Sequence, residues 1–151
     1  MPDIEFSTPE SHGTKSFPDG FELMPSFGDF HELAGPFYMR KSDSGWVVAF
    51  RVEEKHRNRN GGLHGGMLCM LADTALVYAT GHSATPRLKV LTTSLTVQLA
   101  LGAQVGDWVE ASVDLVRVGR RVGFPTCMIC CGGKRIGHAS GTFQIMGQHE
   151  Q

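Results

Sequence analysis

The sequence predicts an α+β domain in which one antiparallel sheet of about six strands wraps around a single long central helix. Three observations lead there. Residues 65–80 (GGMLCMLADTALVYAT) are apolar almost throughout. As a helix, sixteen residues would span ~24 Å, and a helix with no polar face belongs in a core. After it, residues 88–101, 107–118, 122–131 and 135–146 alternate with period two, as half-buried strands do. Their Gly-bearing links at 102–106, 119–121 and 132–134 suit antiparallel hairpins. Ahead of the helix lie two more strand candidates joined by a turn. Strands and helices therefore do not alternate, which excludes a parallel doubly wound sheet.

Each element follows from its residues. Residues 1–20 are polar and carry Pro2, Pro9 and Pro18, the composition of a flexible N-terminal arm. Residues 21–151 form a single domain, as expected for a chain of 151 residues. Within 25–33, PSFGDFHEL reads as a short N-terminal helix that stops near Gly35-Pro36. A strand at 37–41, the turn Ser42-Asp43-Ser44-Gly45 and a strand at 46–52 make a hairpin. Residues 53–60 are a charged loop, and Gly81 is placed just past the central helix as its closing glycine. Pro125, inside the third alternating run, predicts an edge position or a bulge. Open sheet edges are commonly covered by pairing, so a second copy of the chain is expected, with twofold symmetry the default.

Composition narrows the function. Fourteen Lys and Arg stand against fifteen Asp and Glu, a net charge of -1, which argues against nucleic-acid binding. No run of ~18 apolar residues offers a membrane span. The first residues lack the basic and apolar regions of an export signal, so a cytoplasmic location is expected. Of the cysteines at 69, 127, 130 and 131, three fall in TCMICC. On a strand Cys127 and Cys131 face one way and Cys130 the other, and only His138 follows as a possible ligand. Reduced strand thiols are expected there, with no metal.

The chemistry gathers at His56-Arg57-Asn58-Arg59-Asn60-Gly61-Gly62-Leu63-His64-Gly65-Gly66. These glycines lead into a helix N-terminus, whose free N–H groups and dipole favour negative charge. The spacing is GGxxGG without a βαβ unit, so it is no dinucleotide fingerprint; an oxyanion site fits better. Asp73 is the only charged residue between Gly65 and Thr80. An unpaired buried carboxylate costs several kcal/mol. Asp73 is therefore either a core aspartate with hydrogen-bond partners or a general base or nucleophile that burial makes more basic. Gly65 and Asp73 lie eight residues apart on one helix, roughly 12 Å, and cannot both touch one carbonyl carbon. If both serve one reaction, Asp73 must meet the Gly65 N–H of a second copy. His64 is either an acid–base group or a cap that orients the loop. Asn58 either anchors the loop or donates to a substrate carbonyl. Thr92 and Thr93 put hydroxyls on opposite faces of a strand. Arg117, Arg120 and Arg121, with Arg87, Lys89, Lys134 and Arg135 at other strand ends, read as solvated charges or as a phosphate-binding group.

The motif HxNxxGxLHGG, followed by MLCMLAD ending at Asp73, resembles the hotdog-fold acyl-CoA thioesterases, in particular their phenylacetate-pathway (PaaI-like) branch. The resemblance runs from about residue 25 to 146 and includes LTTSLTVQLALGAQVGD and VRVGRRVGF. It implies the hotdog fold, a homodimer or dimer of dimers, and hydrolysis of an acyl-CoA thioester with neither metal nor other cofactor. Asp73 matches the acidic catalytic position, and Gly65 the glycine whose N–H polarises the thioester carbonyl. Asn58 and His64 match loop residues that bind or orient that carbonyl. Thr92 falls where some members place a hydroxyl that positions water. Gly66, Met67, Thr93, Arg120 and Arg121 complete the set as substrate-binding residues; Met67, with Met70, either lines an acyl pocket or packs in the core, and the arginines face phosphate or solvent. The chain departs from common members in reading Ala100-Leu101-Gly102-Ala103 where they carry Arg-Pro or Ser-Pro. Two other activities fit the same fold: hydration or dehydration of an acyl thioester, and acyl-CoA binding without turnover.

Overall fold

The computed structural model describes residues 17–150. Most of the expected arm, residues 1–16, lies outside them. Strand β1 (Glu22–Leu23) and helix α1 (Asp29–Ala34) precede the hairpin β2 (Tyr38–Ser42) and β3 (Gly45–Arg51). A 3-10 turn (Glu54–His56) leads to helix α2 (Gly65–Gly81). Four strands follow: β4 (Leu88–Leu99), β5 (Trp108–Val118), β6 (Val122–Cys131) and β7 (Lys134–Gln148). They form one sheet in the order β1-β2-β3-β5-β6-β7-β4, antiparallel at every pairing. The sheet has seven strands rather than six because the two-residue β1 adds to β2, too short to show a period.

The sheet encloses α2. Phe37, Phe50, Leu71, Leu76, Ile129 and Phe143 are fully buried between them, and burying such a side chain stabilises by about 1.5–3 kcal/mol. One line of irregularities bends the sheet around the helix. Strand β5 bulges between Leu115 and Arg117 opposite Pro125, and β4 bulges between Thr92 and Ser94. Extra residues kink a strand and raise its twist. Pro125 lies on the central strand β6, so its bulge reading holds and its edge reading does not. Gly141 faces this bend, where a Cβ would meet Ser94 O at 2.8 Å.

Two further expectations are corrected. The link 102–106 is not a hairpin, because β4 pairs with β7 and β5 with β3. A glycine-bearing link reads as a tight turn in sequence, yet here it crosses from one sheet edge to the interior. On its way Ala103 O accepts the Leu63 N–H, and Val52 O the Gly106 N–H. Gly81 is the last residue of α2, not a positive-φ residue beyond it. His82 closes the helix, its ring Nδ1–H donating to Tyr78 O at 2.8 Å. Gly81 instead leaves room for the returning chain, since a Cβ there would lie 3.3 Å from Leu88 O.

The long helix is also not buried all round. Gly66, Cys69, Met70, Asp73 and Val77 recur at helical spacing and keep partial exposure, while the opposite face is sealed by the sheet. No helix among the described residues is long and apolar enough to cross a membrane.

Candidate active site

The loop before α2 is fastened residue by residue. Asn58 closes it on itself: its Oδ1 accepts the Asn60 N–H at 2.8 Å and its Nδ2 donates to Leu63 O at 3.3 Å. The Asn58 N–H donates to Gly62 O and its carbonyl accepts from Gly61, whose φ of +89° suits glycine. The anchoring reading of Asn58 thus has its bonds in place; one amide proton remains for another acceptor.

His64 caps α2. Its Nδ1 accepts the Gly66 N–H at 2.8 Å, and its carbonyl accepts the Met67 N–H at 2.9 Å. A capping bond of this type is worth about 0.5–2 kcal/mol. It explains Gly66, where a Cβ would come within 2.9 Å of the His64 ring. With those two N–H groups engaged, the Gly65 N–H at the helix start has no acceptor among the described residues. An N–H there, at the positive end of the helix dipole, suits an incoming oxyanion.

Asp73 lies two turns further on, half-buried in the open stripe. Its Oδ1 accepts from Thr92 Oγ1 at 2.7 Å. The carboxylate is therefore held by a partner rather than orphaned, a charged hydrogen bond worth about 1.5–3 kcal/mol. Thr92 reaches it because the β4 bulge comes immediately after it. Thr93, the extra residue of that bulge, is exposed and donates its hydroxyl to Thr142 O at 2.8 Å rather than to Asp73.

The structure thus brings Asn58, His64, Gly65, Gly66 and Met67 together at one end of α2, and Asp73 with Thr92 in its middle. Arg120 and Arg121 are exposed on the β5–β6 turn. That turn lies beside the far end of α2, where Gly123 packs on Thr80. Within one chain this is ~22 Å of helix from Gly65.

His56, the first residue of the motif, has a structural role. It is 5% exposed. Its Nδ1 accepts the Glu53 N–H at 3.0 Å, so its Nε2 carries the proton and donates to Ala34 O at 2.7 Å. Its carbonyl accepts the His64 N–H at 2.8 Å. Burial holds its pKa below the ordinary value, against the opposing pull of the Ala34 carbonyl. The sequence signal is the Glu53–His56 spacing, which forms a reciprocal capping box across the 3-10 turn.

A groove of about 440 Å³ opens beside this loop, between α1 and the first turns of α2. Its walls include Phe30, Leu33, Met67, Met70, His64 and Gly66. The cysteines of β6 take no part. Cys127 is buried in the core and burial pushes its thiol up to about 12, which makes it inert at neutral pH. No three metal-binding side chains converge among the described residues.

A sheet rolled around one helix, with a glycine-rich loop at the helix start, is the hotdog fold. Residues 60–138 match the model of the thioesterase superfamily. A Pseudomonas aeruginosa protein named "Putative esterase" is 35% identical over 85% of this chain and 96% of its own length. The chain belongs to the thioesterase superfamily and is a thioester hydrolase. Among solved structures, a mutant of the phenylacetic acid degradation protein PaaI from Thermus thermophilus is 26% identical, covering 76% of this chain and 96% of that one with a TM-score of 0.68. A hypothetical thioesterase from Streptococcus pneumoniae, crystallised with coenzyme A, shares the fold at 23% identity and a TM-score of 0.65, covering 76% and 88%.

Proposed function

We propose that this chain hydrolyses acyl-CoA thioesters at a site shared by two copies. Asp73 of one copy acts on the carbonyl, as general base toward water or as nucleophile. The Gly65 N–H of the other receives the oxyanion. The observation that carries the reading is the geometry of α2: a carboxylate steadied by Thr92 at 2.7 Å on an open helical stripe, and an unused N–H two turns away on the same helix. Antiparallel packing of two such stripes brings each carboxylate to the other's N–H. The coenzyme A in the Streptococcus pneumoniae neighbour supports the choice of thiol carrier.

Roles follow for the remaining residues. Thr92 aims the carboxylate and positions water. His64 holds Gly66 so that the Gly65 N–H points outward, and Asn58 keeps the loop closed beneath it, its spare amide proton toward the carbonyl. Met67 and Gly66 border the acyl group, Thr93 lies beside the site, and Arg120 and Arg121 take coenzyme A phosphates from a neighbouring copy. One oxyanion donor contributes ~2.7–4 kcal/mol to lowering the barrier. The charge comes from the protein's own groups, and no cofactor is needed.

The test is release of free thiol from short, medium, long and aryl acyl-CoA thioesters. Asp73→Asn, which keeps an acceptor for Thr92, is expected to lower kcat by at least ~100-fold while the circular dichroism spectrum stays unchanged. Wild-type turnover retained in Asp73→Asn would sink the assignment.

A further inference from the structure

We propose that the groove between α1 and the start of α2 receives the acyl group, and that Phe30 and Leu33 make it select uncharged, apolar acyl groups. This rests on the acyl-CoA reading of the Gly65–Asp73 site and names its substrate class.

Position comes first. His64, Gly66 and Met67, which flank Gly65 in the chain, form one wall, so a thioester carbonyl held at the Gly65 N–H lies next to the groove. An acyl group leaving that carbonyl has the groove directly before it. The opposite wall is α1. That short helix turns His31 inward, onto Phe37 at 4.8 Å. It leaves Phe30 67% and Leu33 71% exposed along the groove. Two large apolar side chains held in water lose burial energy of about 25 cal/mol per Å², which a bound apolar group restores. At about 440 Å³ the groove is within the range of small-molecule sites, roughly 300–1,000 Å³.

Charge narrows the class. The cations on the rim are Lys55 and Arg57. Lys55 bonds Gly35 O and pairs with Glu53 at 3.6 Å, and Arg57 pairs with Glu54 at 2.5 Å. Each cation already faces a carboxylate, so a second carboxylate on the acyl group must displace Glu53 or Glu54 to be paired. Burying it unpaired is costly. Dicarboxylic acyl groups are thereby disfavoured and alkyl or aryl ones favoured.

The wall is also built to a fixed distance. Ala34 O and Gly35 O, at the end of α1, accept from His56 and Lys55 of the loop that carries the motif. The same His56 fixes His64 through its carbonyl. Acyl wall and oxyanion end therefore belong to one hydrogen-bonded frame, with His56 as its positioning residue.

The experiment pairs binding with turnover, using wild type and the Phe30→Ser/Leu33→Ser double variant, whose exposed positions tolerate polar residues. Calorimetry compares the non-hydrolysable thioethers S-decyl-CoA and S-methyl-CoA. Thiol release compares decanoyl-, acetyl- and succinyl-CoA. One buried methylene corresponds to about fourfold in affinity. Wild type is therefore expected to favour decyl over methyl, and decanoyl over acetyl and succinyl, by at least roughly tenfold. The variant should bring the decyl preference to within about threefold of none. A variant that keeps the preference overturns the proposal. So does one that loses the preference only together with molecular mass by light scattering, which would make the α1 face a contact between copies. Loss of the decyl preference in a protein that turns over no thioester would uphold the groove and defeat the hydrolytic reading. No preference in the wild type defeats the groove whatever the turnover.

Discussion

His56 binds α1, the 3-10 turn and the start of α2 with two ring nitrogens and one carbonyl. It does so as a neutral ring, since a proton on Nδ1 would remove the acceptor for Glu53. His31 is also buried, its Nε2 without a partner, and burial lowers its pKa in spite of Glu32 nearby. Histidines held below their ordinary value stay neutral in the folded chain where the unfolded chain is already protonated. Their contribution is full above pH ~6.5 and is lost as pH falls through that value toward the folded one. The urea midpoint is therefore expected to drop between pH 7.5 and 5.5. His31→Phe, which keeps a ring against Phe27 and Phe37, should flatten that drop without loss at pH 7.5. An unchanged slope would remove His31 from the account. At this scale Asp73, Gly65 and His64 stand out in the sequence as candidates because an acid in an apolar run and glycines at a helix start are local signals. The frame around His56 was not, since the Ala34 carbonyl comes from another element and only the fold brings it near.

Among the elements, α2 matters most, and its open stripe makes a checkable register. Cys69 lies midway between Gly65 and Asp73, four residues from each, and is half-buried on that stripe. If antiparallel helices bring Asp73 to the partner's Gly65, each Cys69 faces its own copy across the twofold axis. Packed helices run about 8–10 Å apart. A short bifunctional maleimide is thus expected to link two wild-type chains covalently and to fail with Cys69→Ser. Linkage surviving in Cys69→Ser would mean a different register. The strands and the helix were readable from period two and from apolar length. Strand order was not: the glycines of 102–106 look alike in a hairpin and in a crossover, and long-range pairing decided between them. Likewise the exposed stripe was hidden, because Met70 and Val77 are as apolar as the buried residues beside them.

For the molecule as a whole, the bend through Leu115, Pro125 and Thr92 is what turns a flat sheet into a wrapping around α2. It also delivers Thr92 to Asp73, so fold and site share one cause. The wrapping leaves β4 as a twelve-residue edge strand beside the open stripe, the surface a second copy would cover. In the proposed shared site each chain would hold two half-sites on one helix, neither of them of use to the chain that owns it. The consequence is genetic. Asp73→Ala and Gly65→Val chains, each inactive alone, are expected to rescue one another when unfolded and refolded together. Every mixed pair regains one complete site and keeps one doubly damaged one, so random pairing restores about a quarter of wild-type thiol release. Two defective copies of such a gene would together restore thiol release where either alone would not.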